Sequence, residues 1–127
     1  MTSTFLRRIL IADAAISGTT GVAMFAGASF LGELLALPVA LLRYSGFSLL
    51  PFAAVVLYLA TRNPLPRIGV WTVIVANFAW VAASIAVLFA TNIAPNGFGY
   101  AFVIVQALAV AALADMQYFG LRKAAAA

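Results

Sequence analysis

Long apolar runs, bounded by proline, glycine, asparagine and charged residues, divide the sequence into four segments. They cover approximately residues 5–30, 38–61, 66–90 and 95–121. Each has at least the ~20 residues that an α-helix needs to cross the ~30 Å hydrocarbon core of a bilayer. The pattern therefore predicts an all-α fold, a four-transmembrane-helix up-down bundle that forms one domain over residues 1–127.

The first connection, with the sequence LGELLALP, is too apolar for a solvated loop. We expect it to lie in the membrane interface as a short turn or helix. It carries Glu33, and Arg43 follows about one turn into the second helix. Because long arginine side chains reach toward the headgroups, a local pair between Glu33 and Arg43 is predicted on this outer side.

Composition agrees with the membrane assignment. Hydrophobic residues make up 66% of the chain and charged residues 8%, whereas soluble domains are about half apolar and a quarter charged. Six of the seven basic residues fall on one side of a four-span chain, and only Arg43 falls on the other. By the positive-inside rule, both termini are expected in the cytoplasm. The six are Arg7, Arg8, Arg62, Arg67, Arg122 and Lys123.

The composition also excludes several functions. The chain has no cysteine and no histidine, which removes disulfides, thiol catalysis, a histidine base, zinc sites built on these residues and the usual haem ligand. No phosphate loop or metal-spaced acidic cluster occurs, so we expect no enzyme, no metal and no cofactor. The basic residues form no stripe interleaved with aromatics, which argues against nucleic acid as a partner.

Polar residues within the predicted spans are the candidates for a functional site, because charge at membrane depth is costly and usually faces the protein interior. Helical spacing arranges them into three stripes, one on each of three helices. We expect the stripes to point inward as a polar intramembrane network, with Gln106 too far along the fourth helix to join it directly. The predicted network comprises Asp13, Ser17, Thr20, Asn77, Asp115 and Tyr118.

Three interpretations of this network remain open. It could be a structural set of interhelical hydrogen bonds. It could be a pair of protonatable carboxylates, Asp13 and Asp115, that moves a proton or holds a cation. It could also contact a partner subunit.

Two resemblances extend these expectations. The stretch from LLRYSGFSLLPFAAVVLYLATRNP to QALAVAALADMQYFGLR resembles a group of small bacterial four-helix integral membrane proteins of uncharacterised function, which implies a multi-pass protein of the bacterial inner membrane. The segment ILIADAAISGTT is similar to the first helix of the small multidrug resistance transporters. That likeness implies that Asp13 is a membrane carboxylate exchanging protons for cationic drugs, although the family has glutamate there.

The favoured function is non-enzymatic. We expect a small structural or accessory subunit, embedded in the lipid bilayer, that packs as a homo-oligomer or against a larger membrane complex. The alternative is a proton-coupled small-molecule or cation transporter that acts as a dimer through Asp13 and Asp115.

Overall fold

The computed structural model describes residues 2–90 and 92–126, and this part of the chain is helical with no strand. The all-α prediction is therefore confirmed. The helices are α1 (Thr2–Ala26), α2 (Ala28–Leu35), α3 (Val39–Thr61), α4 (Arg67–Leu88) and α5 (Gly97–Ala126). Four of them, α1, α3, α4 and α5, are long and apolar enough to span a membrane.

The first apolar run, expected as one helix over 5–30, is interrupted at Gly27. This residue has φ −100° and ψ 19°, and glycine is among the poorest helix formers. The chain turns there and continues as the short helix α2, which ends at Ala36 in the left-handed conformation with φ 55°. The apolar connection between the first two spans is thus largely helical.

Contacts between helix ends define the two ends of the bundle. The Arg7 guanidinium donates hydrogen bonds to the carbonyl oxygens of Ala60 and Arg62, and Lys123 lies 5.6 Å from the Phe5 ring centroid. The start of α1, the end of α3 and the end of α5 therefore meet, and we call this the basic end. At the opposite end, Asn96 donates hydrogen bonds from its backbone and side-chain nitrogens to the Leu35 and Leu34 carbonyl oxygens of α2.

Helix α1 packs most extensively against α3. Two glycines face each other where these helices cross. A Cβ atom on Gly46 would lie 2.6 Å from the backbone nitrogen of Phe25 and 2.8 Å from the carbonyl oxygen of Gly21. Since real Cβ atoms do not approach backbone so closely, glycine permits this packing, as small residues do in other membrane bundles.

The apolar interior is divided into two clusters. The cluster at the basic end joins α1, α3, α4 and α5, and the cluster at the opposite end joins α1, α2, α3 and α5 with the α2–α3 connection. Leu10, Val56 and Val70 are fully buried in the first, and Ala28 and Leu42 are buried in the second. The polar side chains of the bundle lie between these clusters.

Helices α3 and α4 make the fewest contacts of any packed pair. Their connection keeps them together at the basic end, where the Leu59 side chain lies against Gly69. Farther along, α3 packs on α1 and α4 packs on α5. A gap between α3 and α4 is the result.

Candidate functional site

Three buried polar side chains, Ser17, Asn77 and Gln117, surround the carboxylate of Asp13, and we call these four residues the Asp13 cluster. Ser17 Oγ donates to Asp13 Oδ1 at 2.9 Å. Asn77 Nδ2 and Gln117 Nε2 donate to Asp13 Oδ2 at 2.8 and 2.6 Å. Asn77 Nδ2 also donates to Gln117 Oε1 at 3.1 Å. The cluster therefore ties α1, α4 and α5 together.

The Asp13 carboxylate is buried, and both of its oxygens accept hydrogen bonds. Asp13 is 1% exposed and Gln117 is 0% exposed. Every fully buried side-chain nitrogen or oxygen in the described part of the chain has a hydrogen-bond partner, as is usual for buried polar groups. Asp13 receives three donors, a pattern that suits a carboxylate acting as acceptor. No basic side chain among the described residues forms an ion pair with it.

Helix α5 supplies a different residue from the one expected. The sequence prediction placed Asp115 in the network, but the Asp115 side chain is exposed and Gln117 takes the inward position. Two residues in a helix are separated by about 200°, so only one of the pair can face the core. In the observed rotation Gly120, one turn from Gln117, lies against α1, where an added Cβ would lie 3.2 Å from Leu6 Cβ. The prediction for Asp115 is wrong for this physical reason.

Gln117 was absent from the sequence prediction. It lies four residues before Leu121, which is buried in the cluster at the basic end. This spacing puts Gln117 on the same helix face as Leu121, and a buried position for the Gln117 amide could have been inferred from it.

The other predicted network residues have different surroundings. Thr20 is half-buried and lines a cavity beyond the cluster. Tyr118 packs on the apolar cluster at the basic end, with its ring edge-on to Trp71 at 5.7 Å between centroids. The Arg122 guanidinium lies 5.7 Å from the Tyr118 ring. Tyr118 is therefore an aromatic packing residue, and it makes no hydrogen bond to the Asp13 cluster.

A second polar group centres on Gln106. Trp80 Nε1 donates to Gln106 Oε1 at 2.7 Å, and Gln106 Nε2 donates to Ser84 Oγ at 2.9 Å and to the Val103 carbonyl oxygen at 2.8 Å. The bonds with Trp80 and Ser84 join α4 to α5. Gln106 stays separate from the Asp13 cluster, as its depth along the helix predicted.

A cavity of about 220 Å³ lies between the two polar groups, and all four long helices line it. Ser17 and Asn77 border it beside the Asp13 cluster, while Trp80 and Gln106 border it from the other side. A neighbouring cavity of about 130 Å³ shares Trp80 and Gln106 and extends toward the opposite end. Further residues lining the larger cavity include Thr20, Ser48, Phe52, Ala76, Ala109 and Val110.

The predicted outer pair is not formed. Glu33 and Arg43 are both described and exposed, and no ion pair joins them. Glu33 lies on α2 and Arg43 on α3. The expectation of a local pair is wrong, because two exposed charges gain little from holding one geometry.

These features define the class: a helical protein with four helices long and apolar enough to span a membrane, a buried polar cluster and a cavity between the four helices. No protein-family model matches the chain, and no curated protein or solved structure matches it significantly.

Proposed function

We propose that the protein is a non-enzymatic subunit of the bacterial inner membrane that assembles with a second copy or a larger membrane complex. The observation that carries this proposal is Asp115. It belongs to the apolar span of α5, about 12 Å from Lys123 along the helix axis. Its side chain is exposed and has no partner among the described residues.

A carboxylate on the lipid-facing surface is costly within a span, and such groups usually pair inside an assembly. The nearest basic side chain on the same helix, Arg122, stacks on Tyr118 instead. Large apolar side chains surround Asp115 on the helix surface, with Met116 36% exposed and Phe119 57% exposed. A partner helix that presents a hydrogen-bond donor or a basic group would cover this surface and pair with the carboxylate.

The interior of the bundle supports a structural role over transport. A transporter working through Asp13 and Asp115 needs both carboxylates on one pathway. Asp13 is enclosed by three neutral donors, and Asp115 lies on another face of α5. The Asp13 cluster is therefore best explained as interhelical hydrogen bonding that holds α1, α4 and α5 together.

Cross-linking in native membranes tests this assignment, and the chain offers a clean background because it contains no cysteine. A Phe119→Cys variant places one thiol a helical turn from Asp115. Val55→Cys is the matched control, since Val55 is 54% exposed on α3. We expect oxidative or bismaleimide cross-linking at position 119 and little at position 55. A product of twice the chain mass identifies self-association, and another mass identifies a different subunit.

The role of the carboxylate is tested by adding Asp115→Leu to the Phe119→Cys variant. We expect the cross-linked product to fall several-fold while the isolated chain keeps its thermal stability. Equal cross-linking at positions 119 and 55, or a product unaffected by Asp115→Leu, would contradict the proposal.

Orientation is the second part of the proposal. The six basic residues at or near the basic end favour a cytoplasmic location for both termini and for the α3–α4 connection. Reporter fusions at the C-terminus and at residue 63 should report the cytoplasm, and a fusion after Asn92 should report the outside. Equal signals from both sides would contradict the orientation.

A further inference from the structure

The cavity between the two polar groups contains an unused hydrogen-bond acceptor. Asn77 is 4% exposed, and its amide nitrogen donates to Asp13 and Gln117. Its amide oxygen has no hydrogen-bond partner among the described residues. Because every fully buried polar side-chain atom in that part of the chain has a partner, this oxygen keeps some exposed surface, and the cavity that Asn77 lines is the open space described beside it.

The cavity walls restrict the chemistry of an occupant. Phe52 and Trp80 present aromatic surface, Leu49 and Val110 present aliphatic surface, and no charged side chain lines the space. A charged ligand would have no counter-charge there, so its desolvation would be uncompensated. An apolar ring with one hydrogen-bond donor matches both the walls and the free amide oxygen.

Size and access agree with a small lipid-soluble ring. An apolar cavity of about 150 Å³ in a protein core is large enough to bind benzene, and this one measures about 220 Å³. A single substituted ring therefore fits. The gap between α3 and α4 gives a route from the lipid phase, since these helices make few contacts with each other and both line the cavity.

We infer that the cavity is a binding site for a neutral, lipid-soluble phenol-like molecule, which enters between α3 and α4 and donates its hydroxyl hydrogen bond to Asn77 Oδ1. The site is independent of the assembly surface around Asp115, because that surface lies on the exterior of α5 and the cavity lies inside the bundle.

The test uses two ligands that differ in one hydrogen-bond donor. 4-Propylphenol carries a hydroxyl, and 4-propylanisole carries a methyl ether in its place. The protein is the Trp71→Phe variant in lipid nanodiscs, which leaves Trp80 at the cavity wall as the sole tryptophan. Ligand concentrations are expressed as mole fractions in the lipid, so that different partitioning into the bilayer does not enter the comparison.

We expect a saturable change in Trp80 fluorescence with the phenol and about 3- to 10-fold weaker binding of the anisole, which corresponds to the net value of one neutral hydrogen bond. Ala109→Leu fills the cavity and should abolish the saturable signal. Ala112→Leu is the matched control, because Ala112 is exposed one turn further along α5 and does not line the cavity.

Thermal unfolding of both leucine variants verifies that the bundle is intact. A linear response to both ligands, equal affinities for the two, or saturable binding that survives Ala109→Leu would overturn the inference.

Discussion

Replacing Asp13 by leucine should destabilise the bundle, whereas replacing it by asparagine should not. Leucine removes the acceptor of three hydrogen bonds. Asn77 retains its bond to Gln117 Oε1, and Ser17 can rotate its hydroxyl to a backbone carbonyl. Gln117 Nε2 loses its only partner, so the main cost falls on that amide.

The magnitude follows from these lost contacts. A buried polar group left without a partner costs about 1–3 kcal/mol. Interhelical hydrogen bonds in a membrane protein average about 0.6 kcal/mol. Asp13 accepts one such bond from α4 and one from α5, so the loss of both sets a lower bound of about 1 kcal/mol on the loss of stability. We expect Asp13→Leu to reduce the free energy of unfolding by about 2 kcal/mol.

Asparagine preserves the arrangement. Its oxygen can accept from Asn77 and Gln117, and its amide nitrogen can donate to Ser17 Oγ, because a hydroxyl both donates and accepts. The change also removes a buried carboxylate that has no cationic partner. We expect Asp13→Asn to lie within about 1 kcal/mol of the parent, or to be slightly more stable, since unpaired buried charge is unfavourable.

The assay is the free energy of unfolding of the purified chain in bicelles, measured by steric trapping. Asp115→Leu is the matched control, because it makes the same substitution on an exposed side chain of α5. If Asp13→Leu is as stable as the parent, or if Asp115→Leu costs as much, the Asp13 cluster does not hold the helices together.

The close packing of α1 on α3 and the contacts at the basic end give two further predictions. Gly46→Ala should cost about 1–3 kcal/mol by overpacking, since its Cβ would lie 2.6 Å from the α1 backbone. An alanine Cβ at Gly97 would meet no atom within 4 Å, so Gly97→Ala should leave the stability unchanged. Equal thermal midpoints for the Gly46→Ala and Gly97→Ala variants would contradict this prediction. Arg7→Gln should cost about 1 kcal/mol because the cation no longer binds carbonyls at the end of α3, whereas exposed Arg8→Gln should not. Chemical denaturation of both variants provides the comparison.

The sequence predicted the polar interior in part. A carboxylate and an amide at similar depths in two apolar helices have few alternatives to meeting inside the bundle, and Asp13 and Asn77 do meet. The residue that α5 contributes to the Asp13 cluster could not be assigned from spacing, because both Asp115 and Gln117 are polar and the packing of α5 on α4 and α1 decides which one faces inward. In the structure Gly120 approaches Leu6 closely, and Gln117 lies one turn away on the same side of α5.

The cavity was not predictable from the sequence for a related reason. It arises because α3 packs on α1 while α4 packs on α5, and a hydrophobic pattern does not specify which helices are neighbours. The link between Trp80 and Gln106 depends on the same arrangement. The helix break occurs at Gly27, but the residues on both sides of this glycine are mostly apolar. The hydrophobic pattern therefore gave no sign that a separate helix, α2, begins at Ala28.

The Asp13 cluster and the cavity share Asn77, so ligand binding and bundle stability should be coupled. A donor on Asn77 Oδ1 polarises the amide, which strengthens the bonds from Nδ2 to Asp13 and Gln117. A ligand that binds only the folded chain stabilises it by about 2.7 kcal/mol at 100 times its dissociation constant. Coupling is reciprocal, so we expect Asp13→Leu, which loosens Asn77, to weaken phenol binding, while Asp13→Asn leaves it nearly unchanged. Trp80 fluorescence titrations of both variants measure the affinity for the phenol. Equal affinities for the parent and the Asp13→Leu variant would show that ligand binding in the cavity does not depend on the Asp13 cluster.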